Sequence, residues 1–392
     1  MHILIVGLLH EDKWVGNLIR NIKTLDPYIH IDFFHAATVA GNYSSCKSLC
    51  QRVYYSKRHF PDFFYKIRIL ASFCQRIDVS ISFKKFLKDK VRNDKSYDLV
   101  NFQYLMSATL RHWRFVQSVT SNTLLSPWGS DVLRLSRFGL FSLKNSVKHY
   151  NWVSITDNDD FRNLISDKLT IDKSRFVSLD FGSSMIDYII DNNHITKHLA
   201  KEQMNLSGYY CIVCGYNASP AQNHMQILNS IMLAQPKIKE KICLLLPLTY
   251  AGSKTYKNEV IQYYKKSGIN FKYFDSFLSV NELYCICRCA DMFIHAQNTD
   301  ANSACLAEYL LCGTTVVNAG WLSYENRERY GMPYVKFNNF EDLPIAIVEA
   351  YNNPPVLNDR LLDDIRKEGW RECARAWVNY LREVGKNNGN NR

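Results

Sequence analysis

The sequence predicts an α/β protein of two doubly wound domains, each a parallel sheet covered by helices. Three observations carry that expectation. Apolar runs of strand length alternate with helical patterns through the first half of the chain, as parallel strands joined by crossover helices require. A second alternating region begins at Tyr209. Within it, residues 289–318 place an apolar strand, a polar loop, a short helix and another apolar strand in immediate succession.

In the first half, His2 to Leu8 is expected as a strand, Trp14 to Lys23 as a helix and Ile29 to Phe34 as a second strand. Asp98 to Phe102, Thr123 to Leu125 and Trp152 to Ile155 continue the sheet. The opening run is interrupted by His10 to Asp12 and has neither a basic start nor a cleavage site, so it reads as a strand and not as a signal peptide. Asn17, Gln103 and Asp131 fall in or near loops after strands, the edge where such sheets bind ligands. Asp131 ends the segment Ser126-Pro-Trp-Gly-Ser-Asp131, where two readings stand: an acid facing a ligand, or a turn held by its side chain. Asp157 to Asp160 precede Phe161 to Ile165, which suits a helix N-terminus whose acids complement the dipole.

Residues 52–95 interrupt the alternation. Phe60, Phe63, Phe64, Tyr65, Ile67, Ile69 and Leu70 are interleaved with Lys57, Arg58, Lys66, Arg68 and Arg76, and Lys84, Lys85, Lys88 and Lys90 follow. The pattern is that of a basic, aromatic, amphipathic helix, a face suited to an anionic membrane surface. Helices packed on the sheet with solvated lysines are the other reading. Residues 51–150 hold 18 Lys/Arg against 6 Asp/Glu, so they account for the whole net charge of +11 and leave the rest almost neutral. No nucleic-acid-binding module accompanies the charge, so no nucleic acid is expected as a partner.

The chain is long enough, at 392 residues, for two cores, and no eighteen apolar residues run together. Its twelve cysteines fit a reducing cytoplasm better than a disulfide framework. Cys211 and Cys214, and Cys285, Cys287 and Cys289, lie in apolar or helical surroundings without a ligand-spaced histidine, so they read as small buried hydrophobes and not as zinc ligands.

In the second region, the strand through Cys214 ends in Gly215-Tyr-Asn217, and a helix starting near Asn223 and His224 follows Ser219-Pro220. Leu244 to Pro247 is a strand followed by Thr249, Tyr250, Gly252 and Ser253. After the strand Cys289 to Ala296, the polar loop Gln297 to Asn302 leads into a helix capped by Asn302 or Ser303 and ending before Gly313. A helix start at the carboxyl edge of a parallel sheet offers backbone N–H groups and a partial positive charge to phosphate. Ala301, Ser303, Ala304 and Cys305 are small enough to let a ligand approach the backbone, and Glu308 stands one turn after Ala304 on the same side.

Asp300 and Glu308, separated by seven residues, with the second acid on a helix that ends Cys-Gly-Thr-Thr-Val-Val, resemble the signature of nucleotide-sugar glycosyltransferases of the GT-B fold. The family's first acid is usually Glu and here is Asp300. The resemblance implies two Rossmann-like domains facing a cleft, Glu308 on the ribose hydroxyls, Asp300 beside the transferred sugar, and the amides between them on the diphosphate. Phe176 to Gly182 resembles the strand and glycine turn that close the first GT-B domain. Trp-Gly-Ser-Asp131 is similar to segments in the first domain of several bacterial members, which implies that Asp131 faces the acceptor or the transferred sugar. Gly215, Asn217, His224, Pro247, Tyr250 and Glu259 resemble, in order and spacing, the transferase family that adds acetamido-fucose during enterobacterial common antigen assembly.

The expected arrangement is therefore a first domain over 1–182, a linker over 183–206, a second domain over 207–355, and a C-terminal segment over 356–392 whose helix folds back before a disordered Asn-rich tail. The expected activity is transfer of a sugar from a nucleotide sugar to a lipid-linked or growing glycan in bacterial surface polysaccharide synthesis. Asp131 and Asp300 are the expected catalytic acids, and Gly215, Asn217, His224, Tyr250, Asn302, Ser303, Ala304 and Glu308 the expected donor-binding residues. No metal or cofactor is expected, since helix amides and Ser303 offset the charge of the leaving diphosphate, and two acids at this spacing lean towards retention. The expected location is the cytoplasm, on the inner face of the membrane through residues 52–95. A nucleotide-sugar epimerase and a non-catalytic sugar-binding protein are the competing readings.

Overall fold

Seven parallel strands form the first sheet of the computed structural model, which describes residues 1–9, 15–38, 44–93, 96–300 and 302–389. In chain order they are β1 (His2–Gly7), β2 (His30–His35), β3 (Arg52–Tyr55), β4 (Leu99–Gln103), β5 (Thr123–Ser126), β6 (Trp152–Ile155) and β7 (Phe176–Ser178). Their order in the sheet is β3-β2-β1-β4-β5-β6-β7, so the winding reverses between β1 and β4. Gly7 sits at that reversal, where a Cβ would stand 2.7 Å from the carbonyl oxygen of Gln103. The helix Val15–Leu25 buries Val15, Leu18, Ile19 and Ile22 and packs against the helix Trp370–Gly389. Trp370 and Trp377 complete this core, and the Trp377 indole N–H donates to the Asp180 carbonyl at 2.9 Å.

The second sheet has six parallel strands, β8 (Tyr209–Cys214), β9 (Lys241–Pro247), β10 (Asn270–Phe274), β11 (Met292–His295), β12 (Thr315–Ala319) and β13 (Val335–Phe337). Its order is β10-β9-β8-β11-β12-β13, with the reversal between β8 and β11. The inner strands β8, β9 and β11 are almost wholly buried, which is why they read as unbroken apolar runs. The chain divides into two units, residues 1–182 with the helix Trp370–Gly389, and residues 183–369.

Several expectations change. Residues 183–206 are not a linker: the helices Ser184–Asp191 and Lys197–Gln203 bury Met185, Ile186, Ile189 and Ala200 in the core of the second unit. Each of these helices is apolar along one stripe only, so the segment's mean polarity hides its packing face. Residues 356–369 also belong to the second unit, where Leu361 and Ile365 are buried, and the return to the first unit begins at Trp370. The final helix runs on to Gly389 through part of the tail expected to be disordered. Residues 52–95 are not one helical insertion: they begin as the edge strand β3 and continue through the helices Asp62–Lys66 and Arg68–Arg92. Lys90, expected on a basic face, is buried, and its ammonium donates to Asp32 Oδ2 at 2.9 Å beside the rings of Tyr54 and Tyr97. Asn17 lies inside its helix and accepts from Arg20 at 3.1 Å. The expected helix start at Trp14, the break at His10 to Asp12 and the small residue Ala301 lie outside the described residues. Among the described residues no helix is long and apolar enough to cross a membrane.

Candidate functional site

The reversal in the second sheet separates the carboxyl ends of β8 and β11, and in an open α/β sheet that crevice is where ligands bind. β8 ends in Gly215, whose φ of +69° is in the left-handed region. A Cβ there would come within 2.9 Å of Gln222 Oε1 and 3.4 Å of His224 Nε2, so only glycine fits. Gln222 and Gln297 then tie the two strand ends together: the Gln222 amide and the Tyr216 hydroxyl both donate to Gln297 Oε1, each at 2.9 Å. Asn223 adds bonds from its amide to the Ala296 carbonyl at 2.7 Å and to Asn298 Oδ1 at 2.8 Å.

Asn217 is buried and accepts from the Ser219 amide at 2.8 Å, shaping the turn before the helix His224–Ala234. His224, the first residue of that helix, is wholly buried; its Nδ1 lies 3.1 Å from the Tyr256 hydroxyl, and Nε2 has no hydrogen-bond partner. Burial pushes its imidazole down to about 4, so the ring is neutral. Tyr250, after β9, is exposed and receives the Ala218 amide on its carbonyl at 2.8 Å.

Ser303 caps the helix Ala304–Leu311, its hydroxyl accepting from the Leu306 amide at 3.2 Å. Ala304 is exposed at the helix start, where the first N–H groups lack intrahelical partners. Asn302 Oδ1 accepts from the Asn326 amide at 3.4 Å. Asp300 Oδ2 accepts from the Tyr324 hydroxyl at 3.1 Å and lies 3.5 Å from His295 Nε2. Glu308, in the second turn of the helix, is buried and accepts the Ser183 hydroxyl at 2.8 Å. Burial pushes its carboxyl up to about 7; the Ser183 bond works against that rise and the charge of Glu368 adds to it. Ser183 itself is placed by its amide bond to the Glu368 carbonyl at 2.9 Å and by accepting from the Met185 amide at 3.1 Å.

All eight expected donor-binding residues thus belong to the second unit, on the turns at the carboxyl ends of β8, β9 and β11 and the helices that follow. Ser183, Gln222, His295, Gln297 and Tyr324 join them and were not foreseen. His295 and Gln297 carried a signal, as polar residues at the end of an apolar strand. Ser183 carried none, because it lies 125 residues from its partner Glu308.

Asp131 belongs to the first unit, in the short helix Ser130–Leu133 after β5. One of its oxygens accepts the Leu105 amide at 2.7 Å and the other the Trp128 amide at 2.9 Å. Burial pushes its carboxyl up to about 6 against the pull of those amides. The side chain is turned inward and joins two loops, buried and held by two backbone N–H groups, the geometry of the turn-holding reading. In the same unit Phe63 (56% exposed), Ile69 (83%) and Phe73 (62%) stand out from the helices Asp62–Lys66 and Arg68–Arg92. Lys84, Lys85 and Lys88 are also exposed. Among the described residues no group of three or more His, Cys, Asp or Glu is placed to hold a metal ion, and the twelve cysteines are all unbridged.

No protein-family model matches the sequence, and no curated protein sequence matches it. Solved structures do match it along its whole length. HepE of Anabaena, solved in complex with UDP and glucose, is 12% identical with a TM-score of 0.61, covering 100% of this chain and 99% of that one. A glycosyltransferase of Rickettsia africae is 14% identical with a TM-score of 0.67 over 98% of this chain and 99% of that one. Sucrose-phosphate synthase of Thermosynechococcus elongatus is 13% identical with a TM-score of 0.65 over 98% and 100%. The shared architecture, two parallel-sheet Rossmann-like domains, is the GT-B fold.

Proposed function

We propose that this chain is a glycosyltransferase that takes its sugar from a nucleotide sugar bound by the second unit. The observation that carries this reading is Glu308: a buried carboxylate with a single serine donor, one turn behind a capped helix start at the switch point of the sheet. In this reading the diphosphate rests on the amides at the start of Ala304–Leu311, Glu308 exchanges Ser183 for the ribose hydroxyls, and Asp300 meets the donor sugar. His224 and Tyr250 border the same crevice, the first as a neutral imidazole. In transfer, the bond from the anomeric carbon to the diphosphate breaks with its electron pair leaving on phosphate, and the acceptor oxygen forms the new bond as its proton passes to the departing phosphate oxygen. The helix amides and Ser303 offset the charge on the leaving group without a metal. Two acids at this spacing favour retention. The complexes of HepE with UDP and UDP-glucose make uridine nucleotides the first probes to use.

The acceptor in this proposal is a lipid-linked or growing glycan of a bacterial surface polysaccharide. The exposed apolar and basic side chains of Asp62–Lys66 and Arg68–Arg92 support it, because such a face lies well on anionic lipid. Replacing Lys84, Lys85 and Lys88 with Gln should weaken binding to acidic vesicles by about 1 kcal/mol per charge. Equal sedimentation of the variant and the wild type, or none by the wild type, removes the membrane from the proposal.

The nucleotide assignment is tested by calorimetry. Glu308→Ala should cost about 1.5–3 kcal/mol of UDP affinity, the range for a hydrogen bond to a charged group. A folded variant that binds UDP as the wild type does ends this assignment. Conversion of UDP-glucose to an epimer, without any acceptor, would favour an epimerase.

A further inference from the structure

We infer that His295 is a positioning residue for Asp300 and that the two side chains hold one proton between them. The inference rests on the donor site proposed above, in which Asp300 faces the sugar. His295 is the last residue of β11, wholly buried, and paired in register with Asn318 of β12. Its Nδ1 lies 2.9 Å from Asn318 Oδ1. The amide of Asn318 is committed elsewhere: Nδ2 donates to the carbonyls of Ala319 and Leu322, both at 3.1 Å. The oxygen of Asn318 therefore faces the ring, and Nδ1 carries the hydrogen that it accepts.

That assignment determines what Nε2 must do. A neutral ring protonated at Nδ1 points the lone pair of Nε2 at its surroundings, where the charged Asp300 Oδ2 lies 3.5 Å away. Nε2 has no hydrogen-bond partner, and the distance is about half an ångström longer than an ordinary N–H···O bond. Lone pair against carboxylate is repulsive in a buried site, whereas a proton on Nε2 makes an imidazolium–carboxylate pair that a small rotation closes. The other titratable groups beside the ring are Tyr216, from the turn after β8, and Tyr324, from the turn after β12, with ring centroids 6.0 and 5.9 Å away. Burial pushes both hydroxyls well above their ordinary value, so they remain donors and do not take the proton. Phe293 fills another side at 5.5 Å. Tyr324 already donates to Oδ2, and a protonated His295 adds its own bond to the same oxygen, which constrains the carboxylate's rotation.

Histidine labelled with 15N and a long-range 1H–15N correlation spectrum read each ring nitrogen directly in the free protein. At neutral pH the expected spectrum contains a ring protonated at both nitrogens, which becomes protonated at Nδ1 alone in Asp300→Asn. His295→Gln should remove that signal; should this variant fail to fold, the change caused by Asp300→Asn still assigns it. A His295 ring unprotonated at Nε2 in the wild type, and the same in Asp300→Asn, overturns the proposal. The spectrum needs no ligand, so the two readings fail separately. Absence of UDP and UDP-glucose binding sinks the donor site and leaves the proton pair standing, while UDP binding with a neutral ring does the reverse.

Discussion

Asp131 in the first unit and Glu308 in the second are both buried acids on a short helix after a central strand, and they differ in what meets them. Asp131 is held by two backbone amides, one on each oxygen. Glu308 is met by one serine hydroxyl. The first unit treats another deeply buried acid as it treats Asp131: Asp32 receives the Lys90 ammonium at 2.9 Å and the Tyr97 hydroxyl at 2.7 Å, and these bonds, with the His2 imidazole, hold its carboxyl well below the usual range despite burial. Burial alone thus does not mark a site. The number of fixed donors separates an acid that holds the fold together from one left with capacity for a ligand.

The largest effect should come from stripping a fully matched acid of its partner. Lys90→Met leaves Asp32 charged and buried, a change worth about 3–5 kcal/mol. Urea unfolding followed by tryptophan fluorescence reads the first unit, which holds six of the seven tryptophans. A wild-type midpoint would mean that Tyr97 and His2 suffice, and the contrast with Glu308 would weaken.

Glu308→Gln should act in the opposite direction. The folded carboxyl is raised from 4.5 to about 7, so its contribution to stability is fully present below pH 4.5 and is lost as the pH rises through about 7. Gln does not ionise, so the variant should be more stable than the wild type above pH 7, by about 3 kcal/mol in the second unit. Hydrogen exchange of β8 and β11 at pH 6 and pH 8 measures the difference. A variant no more stable at pH 8 would show Glu308 to be as well matched as Asp131.

Asp131→Asn should have the smallest of the three effects, because two changes oppose each other: one of the two amides then faces an NH2 group, a loss of about 2 kcal/mol, while Asn also removes the ionisation that a carboxyl raised to about 6 resists at neutral pH. The same tryptophan signal reports it. A loss above about 4 kcal/mol would place Asp131 outside the bracing role drawn from its geometry.

Much of this architecture could be read locally. Apolar runs of strand length, the glycine turns at Gly215 and Gly313, the Ser303 cap and the position of Glu308 one turn behind it all depend on neighbours within a few residues. The helices over 183–206 escaped because eight and seven residues give too short a stripe to outweigh the segment's polar mean. Strand β3 escaped for a related reason: as an edge strand it is only half-buried, and it sits among charges.

The sequence by itself determined the two doubly wound sheets, the switch-point loops and the cluster of donor-site residues on the second, because strand alternation, turn chemistry and helix capping act at short range. Only the tertiary structure decided which charges are structural. Lys90 is buried because Asp32, 58 residues earlier, lies on the strand it crosses. Asp131 turns inward because the Leu105 amide, 26 residues away, arrives beside it. Glu308 stays short of donors because a single serine reaches it from 125 residues away. A buried charge costs several kcal/mol unless it is matched, and whether a match arrives is a property of the packed chain, which no local pattern encodes.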